Sequence, residues 1–233
     1  MTVRVRSKGT AGGGQSDITL FEDTMLAPDQ PFLIGTNWQW CWDPNTAQAE
    51  TGQQMANSFN RVAGGLQTTN TTGGGTVPKG FGLPRPLSWA QLISSSQFAE
   101  YVFVSDNSVG GSVSRMGPMV LCDPNIGNCY YLDLIVETGP FQINIERWSN
   151  AAGTVIATAS PNQFAANDRM TLTADITPST VNLAVLRNGI SILTVSDNTF
   201  RTGLPGFHVD GISNGIAQVF RTFRCGKLSR LNG

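Results

Sequence analysis

The segment Thr180-Val-Asn-Leu-Ala-Val-Leu-Arg-Asn-Gly-Ile-Ser-Ile-Leu-Thr-Val-Ser196 decides the fold class. Two runs rich in Val, Ile, Leu and Thr, residues 180–187 and 190–196, flank Asn188-Gly189. A two-residue connection between antiparallel strands needs positive φ at both positions, and Asn-Gly meets that need at low steric cost. The pattern predicts a tight β-hairpin. Working outward, the same rhythm continues. Upstream, residues 101–104, 118–121, 130–138, 141–148, 154–159 and 169–176 read as strands, with Gly139-Pro140 as a break. Downstream, Gly203-Leu-Pro-Gly206 reads as a connection and residues 216–225 as a closing strand. No stretch carries a strong helical repeat; residues 47–59 come closest. Many short strands with frequent turns mean a sandwich or a barrel.

The front of the chain is less regular. Residues 1–16 read as an arm: Val3 and Val5 alternate with Arg4 and Arg6, and Lys8 precedes Gly9-Thr-Ala-Gly-Gly-Gly14. A Gly-rich stretch buries too little apolar surface to offset its own ordering entropy, while an alternating Val/Arg segment suits addition to a neighbour's sheet edge. The body opens near Ile18-Thr-Leu-Phe-Glu-Asp-Thr24 and reaches Trp38, Trp40 and Trp42, which share one strand face by the period of two. These three rings fit a core better than a binding platform. Residues 63–86, with three consecutive glycines and Pro78, Pro84 and Pro86, read as one long loop. Asn70-Thr-Thr72 has the form of a glycosylation sequon.

Composition narrows the function classes. Charged residues make up 13% of the 233 residues, about half the ~25% usual for soluble domains. Gly, Ser, Thr, Asn and Gln take their place, which suits a surface packed against neighbours or a secreted adhesion module. A net charge of −1 leaves no basic field for nucleic acid. The apolar runs are strand-sized, so membrane insertion is not expected, and the first residues lack an apolar signal core. Twelve of the fifteen positive charges are arginine, a composition favouring interface pairing. Of the cysteines, Cys41, Cys122, Cys129 and Cys225, the pair around Cys122-Asp-Pro-Asn-Ile-Gly-Asn-Cys129 flanks a turn-rich loop that a disulfide could close. The spacing does not fit a CxxC redox or zinc pair, and small buried thiols are the plainer reading. The compartment stays open.

The stretch from Leu183 through Asn188-Gly189, Ser196-Asp-Asn-Thr199 and Gly203-Leu-Pro-Gly206, closed by Val219-Phe-Arg-Thr-Phe-Arg-Cys225, resembles the C-terminal part of concanavalin A-like, laminin-G-like jelly rolls. Phe21-Glu-Asp-Thr24 with Gly35-Thr-Asn-Trp38 is similar to their opening. The resemblance implies an all-β, two-sheet antiparallel β-sandwich with an extended N-terminal arm. The expected divisions are arm 1–16, jelly roll 17–226 and tail 227–233. Domains of this type occur in glycosidases, lectins, adhesins and bacteriophage tail and capsid accessory proteins, so the fold alone does not choose a function.

The Glu-x-Asp-x-x-Glu signature of glycosidases with this fold is absent. If Gly139-Pro140 centres a tight hairpin, Asp133 falls opposite Glu146, Tyr131 opposite Trp148 and Glu137 opposite Gln142, with Leu134/Ile145 and Val136/Ile143 on the core side. Opposed Cβ atoms lie about 4.5–5.5 Å apart, close to the ~5–5.5 Å carboxyl separation of a retaining glycosidase. Tyr131, Asp133, Glu146 and Trp148 thus form a candidate glycan face, or half of a Ca²⁺ site. The plainer reading has this face covered by loops or a neighbouring subunit, with Arg147 or another arginine nearby neutralising it. His208, the only histidine, reads as a structural residue near a turn, with no context for a triad or a metal.

The expectation from sequence is a non-enzymatic virion structural protein, a bacteriophage capsid decoration or tail component. It would use no cofactor and no metal, and would be tethered to other virion proteins and to copies of itself by Arg4, Arg6, Lys8 and the tail residues Lys227 and Arg230. The alternative is a lectin-like module binding glycan through Tyr131, Trp148 and their carboxylates.

Overall fold

Asn188 and Gly189 adopt φ values of 55° and 84°, so the turn that anchors the sequence reading is a type I′ hairpin. The computed structural model describes residues 16–23, 30–31, 38–42, 59–62, 65–68, 80–84, 92, 95–106, 114–123, 128–135, 141–149, 152–162, 164–212 and 218–229. In chain order the strands are β1 (Ser16–Asp23), β2 (Gln30–Pro31), β3 (Trp38–Trp42), β4 (Phe59–Val62), β5 (Gly65–Thr68), β6 (Gly80–Pro84), β7 (Gln97–Asp106) and β8 (Ser114–Cys122). There follow β9 (Cys129–Ile135), β10 (Gln142–Ser149), β11 (Ala152–Ala159), β12 (Arg169–Ile176), β13 (Val181–Arg187), β14 (Ile190–Asp197), β15 (Leu204–Ile212) and β16 (Gln218–Ser229).

These strands form two antiparallel sheets. The nine-stranded sheet runs β14-β13-β12-β7-β16-β5-β4-β2, with β1 also paired to β16. The seven-stranded sheet runs β11-β10-β9-β8-β15-β6-β3. Non-consecutive neighbours such as β7 and β16, or β8 and β15, cross between distant parts of the chain, as a jelly roll requires. One edge of β16 is shared end to end: Val219 and Phe220 face β5, and Phe223 to Ser229 face β1.

The inner faces meet through aromatic rings. Phe207 of the seven-stranded sheet packs edge-on against Phe220 of the other at 5.6 Å, and Phe220 in turn meets Tyr101 at 5.2 Å. Leu132, Ile143, Ile145, Leu172, Leu183 and Val185 fill the layer between, all at most 1% exposed. Such ring pairs add about 0.5–1.5 kcal/mol each beyond the area they bury. Buried Gln97 ties the sheets at one end, donating to the Gly203 carbonyl and accepting from the Leu121 N–H, both at 3.1 Å.

Several expectations need correction. The stretch 63–86 is not one loop, since β5 and β6 lie within it; glycine-rich Gly80-Phe-Gly-Leu-Pro84 is held as a strand by pairing to both β15 and β3. The Gly203-Leu-Pro-Gly206 connection is shorter than it reads, because β15 already starts at Leu204. Its ladder to β8 slips between Leu204 and Gly206, so Pro205 sits at the bulge, where its missing N–H forfeits no ladder bond. β16 continues to Ser229, and Lys227, read as a tether in the tail, is the ladder partner of Ile18. Trp38, Trp40 and Trp42 do lie on one strand, opposite Pro84, Gly82 and Gly80. The arm residues Arg4, Arg6 and Lys8, the sequon, Arg230 and positions 47–58 of the helical candidate lie outside the described residues.

Candidate functional site

The four residues of the candidate glycan face sit on β9 and β10, and their register differs from the expected one by two positions. Glu146 pairs with Tyr131, Asp133 with Asn144, Trp148 with Cys129 and Gln142 with Ile135. This is not the register that a tight turn centred on Gly139-Pro140 would set, and those two residues themselves lie outside the described ones. A slip of two keeps every side chain on its face. Tyr131, Glu146 and Trp148 still share one face, while Leu132, Leu134, Ile143 and Ile145 serve the core. What the slip breaks is the direct carboxylate pair, leaving Asp133 and Glu146 diagonal, at roughly 7–8 Å.

The face is also buried rather than open. Tyr131 and Asp133 are fully covered, and Trp148 is 4% exposed. The Tyr131 hydroxyl donates to Glu146 Oε2 at 2.6 Å. The His208 ring lies over Tyr131 at 3.9 Å between centroids and 5.5 Å from Trp148, while Tyr131 and Trp148 meet edge-on at 6.3 Å. His208 belongs to the middle of β15, opposite Gly117 and Phe81, and not to a turn. Asp133 acts toward the other sheet: after burial itself, its charge is the second cause that raises the Tyr101 phenol well above its ordinary range. Arg147 does not neutralise this face. It points the opposite way, to Asp197 at 2.8 Å, where Tyr130 also donates to Asp197 at 2.5 Å.

Access to the cluster lies along the edge strand β11. Val155 pairs with Glu146 and Gly153 with Trp148, so both are on the cluster's face. A bulge at Ile156, between the Ile145 and Glu146 rungs, sets that pairing. Gly153 is exposed and Val155 is 51% exposed. A Cβ at Gly153 would stand 2.6 Å from Glu146 Oε2 and 3.2 Å from the Cε3 and Cζ3 edge of Trp148. A carboxylate oxygen and an aromatic ring edge thus pack directly against the exposed glycine, where any side chain would have to displace them. Farther along the same face, Gln142 Nε2 donates to Asn144 Oδ1 at 3.0 Å, and the exposed Thr158 hydroxyl donates to the same oxygen at 2.6 Å. Sequence reasoning passed over Gly153, Asn144 and Thr158, and placed His208 near a turn. The period of two that linked Glu146 to Trp148 also reaches Gln142 and Asn144.

A separate cleft of about 230 Å³ opens on the outer face of the nine-stranded sheet, among Thr19, Glu22, Glu100, Arg169 and Arg224. Its floor is self-satisfied: Arg224 grips Glu100 through Nε at 2.6 Å and Nη2 at 3.1 Å, and Thr171 donates to Glu100 at 2.6 Å.

No family model matches the chain, and no curated protein matches it. Solved structures do. An endo-1,3-beta-glucanase from Streptomyces sioyaensis aligns with TM-score 0.56 and 13% identity over 95% of this chain and 100% of its own. A lichenase derived from a mouse hindgut metagenome gives 0.53 and 12% over 89% and 98%. The beta-glucanase of Bacillus licheniformis gives 0.51 and 14% over 94% and 100%. The fold is the concanavalin A-like jelly roll. At these identities the likeness concerns architecture and carries no residue roles.

Proposed function

We propose that this jelly roll binds carbohydrate, without hydrolysing it, at the β10–β11 rim around Gly153. The observation that carries the reading is the bare rim at Gly153. With no side chain on this exposed glycine, the Glu146 carboxylate and the Trp148 ring edge lie together directly beneath the surface of the edge strand, the mixed polar and aromatic contact that a sugar ring demands. The side chains of Asn144, Gln142 and Thr158 extend a polar strip along the same rim. The architectural likeness to glucanases makes β-glucan the first ligand to test. Catalysis is not part of the reading: Glu146 already accepts the Tyr131 hydroxyl, and the residue directly across from Asp133 is an amide, Asn144.

The test is retention on insoluble β-glucan together with a glycan array. The wild type is expected to bind, and Gly153→Ala, whose methyl pushes the Glu146 carboxylate off its position, is expected to lose about tenfold in affinity with its circular dichroism unchanged. Absence of binding to every glycan by the wild type overturns the reading. Release of reducing sugar, abolished in Glu146→Gln, would replace it with a hydrolase.

Assembly into a bacteriophage particle, as capsid decoration or tail component, is the second reading. It is favoured by two edge strands, β11 and β14, that expose Val155 at 51% and Ile190 at 71%. Uncovered edges of this kind invite pairing with other chains. The mass of the native protein separates them: a closed oligomer supports assembly, and a monomer at high concentration speaks against self-assembly.

A further inference from the structure

The loop Cys122-Asp-Pro-Asn-Ile-Gly-Asn-Cys129 joins β8 to β9. It is pinned at its base by the Asp123 N–H, which donates to the Asn128 carbonyl at 2.9 Å. Cys122 and Cys129 stand immediately outside that bond, one on each strand. Leu121, with φ of 54°, turns the end of β8 just before Cys122. Both thiols are fully buried.

We propose that Cys122 and Cys129 are a disulfide-forming pair that closes this loop by exchange with a small-molecule disulfide. The Cys122 thiol donates to the Asp123 carbonyl at 3.6 Å, and burial first, then the neighbouring Cys129, push it well above its ordinary range. The resting Cys122 thiol is therefore neutral and slow to react while covered, and exchange proceeds on local opening of the two strand ends or as the chain folds. Oxidised glutathione supplies the oxidising equivalents. One cysteine thiolate attacks it, forming a protein–glutathione mixed disulfide and releasing one glutathione thiol. The second cysteine then attacks the protein sulfur of that mixed disulfide and expels a second glutathione thiol. Two protein thiols are oxidised, one glutathione disulfide is reduced, and both thiol protons end on glutathione.

Topology puts the other two cysteines out of reach of this pair. Cys41 lies on β3, three strands from β8 in the seven-stranded sheet, or roughly 14 Å at about 4.8 Å per strand. Cys225 is on β16 of the opposite sheet, about 10 Å away. Disulfides span Cα separations of about 4.4–6.8 Å. Cys129 is also the rung partner of Trp148, so the bond would fix the ladder end that carries that ring. The inference does not rest on carbohydrate binding, because the bond forms or fails to form whatever the rim takes up.

The full chain, reduced in denaturant and refolded in a glutathione redox buffer, is the test, paired with prolonged incubation of the folded protein in oxidised glutathione. The expected product is two hydrogens lighter, with the loss mapped to the peptide containing residues 122–129 and with Cys41 and Cys225 still open to alkylation after denaturation. Its unfolding midpoint should exceed that of the reduced chain. Cys122→Ser and Cys129→Ser should each abolish the mass loss, and Cys225→Ser should keep it. Alkylation of all four thiols after both treatments overturns the proposal, as does a bond that maps to Cys41 or Cys225.

Discussion

A Cβ on Gly117 would stand 1.7 Å from the carbonyl oxygen of Leu132. That oxygen belongs to the backbone of a central strand and has nowhere to move. Gly117→Ala is expected to cost about 3 kcal/mol, read as a fall in the denaturation midpoint by urea. Gly153 meets instead the free end of a glutamate and the edge of a ring, so a methyl there disturbs binding more than folding. The difference marks what single residues disclosed before the structure. Tyr131, Glu146 and Trp148 were legible as one face because aromatic and charged side chains announce themselves and strand alternation is strict. Gly153 was not, since its contribution is missing volume. His208 was misplaced because Pro205-Gly206, just ahead of it, mimics a turn.

At the scale of elements, the β12–β13–β14 meander was the most readable, because its hairpin carries its own turn chemistry. That turn is fastened from outside by Asp168, which accepts from the Asn188 amide at 2.6 Å, from the Ala165 N–H at 2.8 Å and from Arg187 Nε at 2.9 Å. Burial alone would raise this carboxyl; the Ala165 N–H, Asn188 and Arg187 outweigh it and hold it below its ordinary 3.8. A depressed native value means that the stabilisation is fully present above 3.8 and is lost as pH falls through the lower, folded value. The protection of the Asn188 and Arg169 amides, taken relative to the intrinsic exchange rate at each pH, is expected to fall in acid before the core opens, and Asp168→Asn should remove that pH dependence while lowering the midpoint. Protection that stays constant in acid would remove Asp168 as the fastening. The β9–β10 hairpin was harder to read. Its register depended on where the chain reverses, and the pairing of Gln142 with Ile135 differs by two positions from the one a turn centred on Gly139-Pro140 would set. Closing the β8–β9 loop with a bond would constrain a ring of eight residues, worth about 2–3 kcal/mol on chain-entropy grounds.

For the whole molecule, the class of fold was legible and its wiring was not. Turn spacing announces a sandwich, but which distant strands become neighbours depends on packing between chain segments remote in sequence. β1 and β16 show this, pairing from Ser16 opposite Ser229 to Asp23 opposite Phe223. The last residues of β16 read as a polar tail, yet they complete a ladder. Removing residues 227–233 deletes the partners of Ser16, Asp17 and Ile18 and takes away the buried side chain of Leu228. A drop of about 2 kcal/mol is expected, allowing about 1 kcal/mol for a net hydrogen bond, measured by thermal unfolding of the truncated chain. An unchanged midpoint would return these residues to the status of a tether.

The same pairing has a mechanical consequence. Because β1 and β16 run antiparallel with Ser16 facing Ser229, a pull applied at the two outer ends of these strands acts across the ladder and not along it. The load falls on one rung at a time, beginning with Ser16 and Ser229, and opens the pair like a zipper instead of shearing all its rungs together. A domain held by its two ends would yield first by peeling β1 away at low force, while the β12–β13–β14 meander, at the far edge of the same sheet, stayed folded.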